Sequence, residues 1–525
     1  MVISCVDRLK KVRLYQLNSW HSLRLIGYNT FTMTYHSRSI AIVSQQLPLC
    51  PPLPRVIGPV EFDEFRLLWN HLDQVLAAGV EREFILRCVA LKQKKRKRRM
   101  IIAEQVAYQN ECRQALRCTL ARKLLQESLR TFCCRLADSP VMQRFCLSGD
   151  LEAVRIPGHS QLQRYESWLP VAEMQAVITA LTNQAQADDA PSTLGLEAPL
   201  SLSTVWVDST CAETNIHYPV DWILLRDAVR TLIEAIMVLR SRGIRYRMPE
   251  PSSFLRKMNQ LCIKMTHAGK GEKRKQCQKA ILREMKELAH TVQGHATRYC
   301  ALAEEMPEPR GWAVAAQRRM QAILEKLPQI IHQAHERIIG ERQVPNSEKV
   351  LSIYEPDTSV LSRGKSGAQV EYGYSLFVAE QRDGLIVDWD MPRSPESDIV
   401  MLSAGVTRWQ KAYGAHTIRV VVTDRGFYSK ATCNTLKDAG IANGMCPRSP
   451  QQLAARLEEV EFRELQRRRS QTEGRIAIVK QTFLGGRLHT KGHAHQSAEM
   501  AWVIFAHNVW VIARLSILSK QKIAA

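Results

Sequence analysis

The chain has 525 residues, 45% of them hydrophobic, too long for one typical domain and apolar enough for more than one core, so two or three folded units are expected. Lysine and arginine outnumber aspartate and glutamate 73 to 51, and the formal charge of +22 points to a polyanionic partner, nucleic acid before any other. Fourteen cysteines without a C-x-x-C pair, two of them adjacent at Cys133 and Cys134, exclude an ordinary disulfide framework and fit the reduced thiols of a cytosolic protein. The opening residues carry Asp7, Arg8, Lys10 and Lys11 before any apolar stretch, which does not read as a secretory signal.

Residues 1–55 lack sustained periodicity and close on the proline cluster LPLCPPLPRV, predicting a loosely structured leader. Over 56–183 apolar residues recur at three- and four-residue spacing, as in FDEFRLLWNHLDQVL and ECRQALRCTLARKLLQESLRTFCCRL, which predicts a helical domain. Its basic run Lys92 to Arg99 reads equally as a solvated face or a phosphate-contacting patch. Residues 184–202, NQAQADDAPSTLGLEAPLS, read as a linker.

Beyond it, STVWVDST predicts a strand, and 222–345 is again strongly helical, with a second basic run at Lys270, Lys273, Arg274 and Lys275. QVEYGYSLFVAEQ and DGLIVDWDM predict a hairpin turning at Asp383 and Gly384. A helix DIVMLSAGVTRWQKAYG, a strand RVVVTD, a helix SKATCNTLKDAG, a short strand IANGMCP and long helices follow. The pattern is a mixed α/β layer over 203–221 and 346–518, with the helical block 222–345 inserted after its first strand. The apolar stretch AWVIFAHNVWVIARLSIL is interrupted by His507, Asn508 and Arg514, costly in lipid, and predicts a core helix containing Trp502 and Trp510.

Three acids stand out. Asp208 and Asp424 each close an apolar strand, where ligands collect in open sheets, although an aspartate there is usually a turn or cap residue. In RRRSQTEGRIAIVKQTF, Arg469, Glu473 and Lys480 share one helical face, and an ordinary ion-paired surface helix explains that spacing equally well. Asp398 fits a helix N-cap, and Asp221, Asp388 and Asp390 carry no signal of ligation. His489, His493 and His495 have spacing that zinc accepts, but without a nearby cysteine and among Gly485, Gly486 and Gly492 they read better as a basic DNA-facing loop with Arg487 and Lys491.

VDSTCAETNIHYPVD, RGKSGAQVEYGYSLFVAEQRDGLIVDW, VVTDRGFYSK and TEGRIAIVKQTFLGGRLHTKGH, in this order, resemble the DDE transposases of bacterial insertion sequences, most closely the ISNCY-type group. The resemblance runs from about 138 to 515. It implies an RNase H-like fold whose acid triad falls on Asp208, Asp424 and Glu473, holding Mg2+ or Mn2+, two ions in all, for DNA strand cleavage and transfer. Related families show Y-x2-R-x3-E-x6-K around the glutamate; here Arg469, Glu473 and Lys480 match and Gln466 replaces the tyrosine. Gly426 would leave room beside Asp424 for metal or DNA, and Lys480, Arg469, Arg425, Arg487 and Lys491 would contact the phosphate backbone. The implied partner is double-stranded DNA, terminal repeats and target, bound by a homo-oligomer in the bacterial cytoplasm without a membrane. The helical N-terminal domain would bind the ends or mediate dimerisation. The rival readings are an RNase H-like nuclease without strand transfer and a non-catalytic DNA-binding relic.

Overall fold

The computed structural model describes residues 32–35, 38–41, 53–149, 152–305, 310–365 and 368–524. Most of the leader expected over 1–55 lies outside the described residues; within it, β1 (Thr32–Tyr35) and β2 (Arg38–Ala41) pair antiparallel. The described chain divides into two compact units, one built from 1–212, 375–392 and 396–525, the other from 213–374 and 393–395.

In the first unit the N-terminal helices are α1 (Val60–Val75), α2 (Glu81–Lys94), α3 (Ile102–Leu125), α4 (Leu129–Asp138), α5 (Pro140–Phe145), α6 (His159–Glu166), α7 (Val171–Gln186) and α8 (Ala190–Leu194). Local chemistry sets their starts. Ser128 Oγ accepts the Thr131 N–H to begin α4, and Ser139 with Pro140 at the first helical position begins α5. The linker expected over 184–202 is corrected: α7 runs into it, α8 lies inside it, and Ala185, Ala190, Leu194, Leu196 and Leu202 are buried. Its scattered alanines and leucines pack the segment although its composition is that of a flexible connector.

Five strands form the sheet of this unit: β3 (Thr204–Glu213), β5 (Ala368–Gln381), β6 (Ile386–Asp390), β7 (Val420–Val422) and β8 (Ala442–Asn443), in the spatial order β6-β5-β3-β7-β8. The β5–β6 hairpin is antiparallel and turns where Gly384 takes φ +90°, a conformation that favours glycine; β3, β7 and β8 run parallel. Val205 and Val207 of β3, Phe377 and Ala379 of β5, Val387 of β6 and Val421 of β7 point to one face. There they pack on Met401, Leu402, Val406 and Trp409 of α13 (Asp398–Tyr413) and Leu436 of α14 (Lys430–Asp438). Strand alternation then sends Trp206 and Asp208 to the opposite face. That face carries α16 (Val460–Ile478), which follows α15 (Pro450–Leu457): Trp206 Nε1 donates to the Leu465 carbonyl at 3.0 Å and the Arg468 guanidinium lies 4.7 Å above the Trp206 ring. The fold is the expected RNase H-like class, a mixed sheet flanked by helices.

The last helix, α17 (His493–Ala524), is long and apolar enough to cross a membrane by composition, yet 78% of its most apolar window is buried inside the fold. One of its polar interruptions is used internally. Asn508 accepts from the Ile386 N–H at 3.0 Å and donates to the Ile386 carbonyl at 2.7 Å, gripping β6.

The second unit is a bundle of α9 (Asp221–Ser241), α10 (Pro251–Thr266), α11 (Gly271–Glu304) and α12 (Gly311–Ala334) around a core that includes Leu232, Ile236, Met258, Leu282, Met285, Met320 and Leu327. It also contains β4 (Ser359–Lys365), antiparallel to the first half of β5. Asp221 opens α9 buried, satisfied by Gln333 at 2.6 Å and Arg337 at 2.8 Å, a structural role that leaves it no part in ligation.

Candidate active site

β3 and β7 pair in parallel with Thr204 opposite Val420, Val205 opposite Val421 and Trp206 opposite Val422. Two residues further along both chains stand Asp208 and Asp424, on the face that carries α16. Asp208 does not close its strand as expected; β3 continues to Glu213, because Thr210, Cys211 and Ala212 beyond it are buried. Asp424 does stand just past the end of β7, in the turn leading to α14.

Each aspartate has one oxygen held locally. Ser209 N–H donates to Asp208 Oδ1 at 2.8 Å, and Gly426 N–H donates to Asp424 Oδ1 at 2.8 Å. Burial of Asp208 pushes its pKa up to about 6; the negative charges of Asp424 and Glu473 push in the same direction, while the Ser209 N–H and Arg469 oppose them. The carboxylate therefore responds to both other acids, one from a neighbouring strand and one from α16.

Glu473 is half-exposed on α16, and Arg469, one turn earlier, joins it to the sheet. The Arg469 guanidinium lies 3.3 Å from Glu473 Oε1 and 3.8 Å from Asp208 Oδ2. Among the described residues no three acidic, histidine or cysteine side chains converge tightly enough to hold a metal ion. The donor set is nonetheless the one a hard divalent cation takes, carboxylate oxygens only, and a guanidinium already sits between two of them as a stand-in cation.

Helix α16 is fastened by a second, buried group that the sequence does not single out. Glu380 of β5 is fully buried; its Oε1 accepts from Arg468 at 2.9 Å and from the Thr472 hydroxyl at 2.8 Å, and its Oε2 from Arg475 at 3.2 Å. Positions 468, 472 and 475 form one face of α16, and 469 and 473 lie beside it. The only hint along the chain is a charged residue ending the otherwise apolar strand LFVAE. Gln466, where related families carry tyrosine, donates to the Thr423 carbonyl at 3.2 Å and the Gly444 carbonyl at 2.7 Å, tying α16 to the ends of β7 and β8.

Asp398 is not the N-cap of α13. Ser397 is, its Oγ accepting the Val400 N–H, and Asp398 is the first helical residue. Asp398 Oδ2 and Asp424 Oδ1 each lie 3.0 Å from where a β-carbon on Gly426 would stand, so three segments meet closely at this glycine. Asp388 and Asp390 are held by Arg408 at 2.8 and 2.9 Å, and Asp388 also accepts from Trp409 Nε1 at 2.8 Å; both are structural acids.

Arg425 is exposed in the turn after Asp424. Lys480 does not continue the α-helical face of Arg469 and Glu473: α16 ends at Ile478, and Val479–Phe483 winds as a π-helix, which shifts its phase. The loop that follows exposes Arg487 and Lys491 and is pinned by buried Glu499, which accepts from the N–H groups of His489 and Thr490 at 3.0 Å and pairs with Lys123 at 3.3 Å. His493 bonds the Met391 carbonyl at 2.8 Å instead of joining His489 and His495 in a metal site.

A family model described as a transposase DDE domain matches residues 357–509, a span that includes Asp424 and Glu473 but not Asp208. No curated protein and no solved structure gave a match. Enzymes with this domain cleave and join DNA strands and generally use divalent metal ions. That match covers under a third of the chain and lies on the RNase H-like sheet, so the region 357–509 is similar to a transposase DDE domain.

Proposed function

We propose that the chain binds the terminal inverted repeats of an insertion sequence and catalyses metal-dependent DNA strand cleavage and strand transfer, with Asp208, Asp424 and Glu473 as the acids of the site. The observation that carries this reading is the shared register and face of Asp208 and Asp424, with Glu473 drawn to them through Arg469. Mg2+ or Mn2+, as a pair, would supply activation of the attacking oxygen and neutralise charge at the phosphorus during in-line displacement.

The chain's own residues do the rest. Ser209 and Gly426 orient the two aspartates by holding one oxygen of each and leaving the other for a cation. Arg469 leaves the acids when a cation arrives and becomes available to a phosphate. Lys480, Arg425, Arg487 and Lys491 neutralise the DNA backbone, and the N-terminal helices bind the element's ends or join two copies of a homo-oligomer on DNA. Such a protein acts in the cytoplasm, where its DNA is.

The test is a strand-transfer assay with purified protein, Mg2+ or Mn2+, and labelled DNA carrying the ends of its own element, run beside Asp424→Asn. Joined products that disappear in the variant are expected. Cleavage without joining would reduce the activity to that of a nuclease, and absence of metal-dependent cutting would sink the proposal.

A further inference from the structure

The most arginine-rich short loop in the helical unit is IRYRMPE with its preceding turn, between α9 and α10, and it belongs to neither of the basic runs that stand out along the chain. Both of those runs are partly neutralised. Arg96 and Arg98 pair with Glu104 at 3.0 and 2.6 Å, and Lys275 pairs with Glu341 at 3.1 Å, as does Lys279 just beyond the run at 2.7 Å. In contrast Arg242, Arg245, Arg247 and the neighbouring Arg298 of α11 are exposed and form no ion pair with any described carboxylate.

The loop is nevertheless rigidly built. Gly243, at φ +95°, ends α9; Ile244 and Met248 pack against the core of the bundle on either side of the arginines. The buried Tyr299 hydroxyl accepts from the Tyr246 N–H at 3.2 Å and donates to its carbonyl at 3.4 Å. Two guanidinium groups are also stacked on rings, Arg298 at 5.3 Å from the Tyr246 centroid and Arg242 at 5.8 Å from that of Trp312. Cations held in place without carboxylates cost nothing to strip of a counter-charge when an anion binds, and stacked guanidinium groups lose little freedom in doing so.

We propose that Arg242, Arg245, Arg247 and Arg298 form a DNA-backbone contact surface on the helical unit, additional to the residues around the acids. Duplex DNA is favoured over an acidic protein segment because the surface is all arginine, suited to phosphate forks, with one face of the exposed Tyr246 already taken by Arg298. The inference rests on the reading that DNA is the substrate, and adds a place where the protein holds it.

The test compares the wild-type chain with the triple variant Arg245→Gln, Arg247→Gln, Arg298→Gln, first matched for circular dichroism and thermal melting. Binding to a labelled duplex of mixed sequence is followed by anisotropy across a salt series, with labelled polyglutamate as a second probe and Mg2+-dependent cutting of element-end DNA read in the same preparations. The expected result is weaker duplex binding and a log–log salt slope reduced by about three, one for each lost phosphate contact. An unchanged slope overturns the surface, even where the wild type cuts its DNA normally. Loss of polyglutamate binding with duplex binding intact overturns it in favour of an acidic protein partner. A wild type that binds duplex without cutting sinks the strand-transfer function instead, and the slope comparison still decides the surface.

Discussion

Arg469 stands 3.8 Å from Asp208 while holding Glu473 at 3.3 Å, so one side chain spans the sheet and helix halves of the candidate site. It offsets the repulsion between these two carboxylates and would compete with a cation for them. Arg469→Gln is therefore expected to bind Mn2+ about 2- to 5-fold more tightly without DNA, the range set by partly exposed pairs worth about 0.5–1 kcal/mol. Electron paramagnetic resonance of free Mn2+ checks it; weaker binding in the variant would mean that the arginine orders the acids more than it blocks them.

Glu380, itself fully buried, neutralises Arg468 and Arg475, which are only partly exposed, and removing it leaves two cations against the sheet without their carboxylate. Glu380→Ala should lose about 3–5 kcal/mol of stability, as when one partner of a buried pair is removed. Urea unfolding measures this, and a loss below about 1 kcal/mol would show that α16 is held by Trp206 and Gln466 instead.

A β-carbon on Gly426 would stand 3.0 Å from both Asp398 Oδ2 and Asp424 Oδ1, so these carboxylates would have to give by a few tenths of an ångström. Gly426→Ala should leave the melting temperature within a few degrees of wild type, as for a change worth about 1 kcal/mol, while displacing the Asp424 carboxylate and lowering strand cleavage at least about tenfold. Undiminished cleavage would show that the Asp424 position tolerates the shift.

Two buried histidines predict a loss of stability in mild acid. Burial, helped by Lys520, lowers the His71 pKa to about 4, and burial, helped by Arg475 against the Asn508 hydrogen bond, lowers that of His507 to about 3. Both folded values lie below the unfolded value near 6.5, so the unfolded chain binds more protons in between. Stability is full above pH 6.5 and falls as pH drops through that window, by up to about 1.4 kcal/mol per pH unit for each group. Denaturation curves from pH 7.5 to 5 check the slope. His71→Gln, which keeps a polar group near Ser516, should flatten it by up to half; an identical slope would place the titrating group elsewhere.

Local elements are legible along the chain because they follow from spacing and turn chemistry. The β5–β6 hairpin is marked by alternating apolar residues around Asp383 and Gly384, β7 by a valine run ending before Asp424, and α17 by an apolar stretch whose polar breaks do not suit lipid. Periodicity also puts Arg469 and Glu473 on one face of a helix. Its reach ends within an element. The extension of β3 past Asp208, the packing of 184–202 and the π-helical turn at Lys480 all depend on what lies against those residues.

Partner choice is decided by folding alone. That Asp208 meets Asp424 depends on the parallel register of strands separated by the whole helical unit, and that Glu380 takes Arg468 and Arg475 depends on where α16 crosses the sheet. Charge obeys the same logic. A run of lysines and arginines states how many cations a segment has, but whether carboxylates neutralise them, as Glu104 and Glu341 do, or leave them open, as at Arg245 and Arg247, is settled only when distant segments pack, because ion pairs form through space and not along the chain.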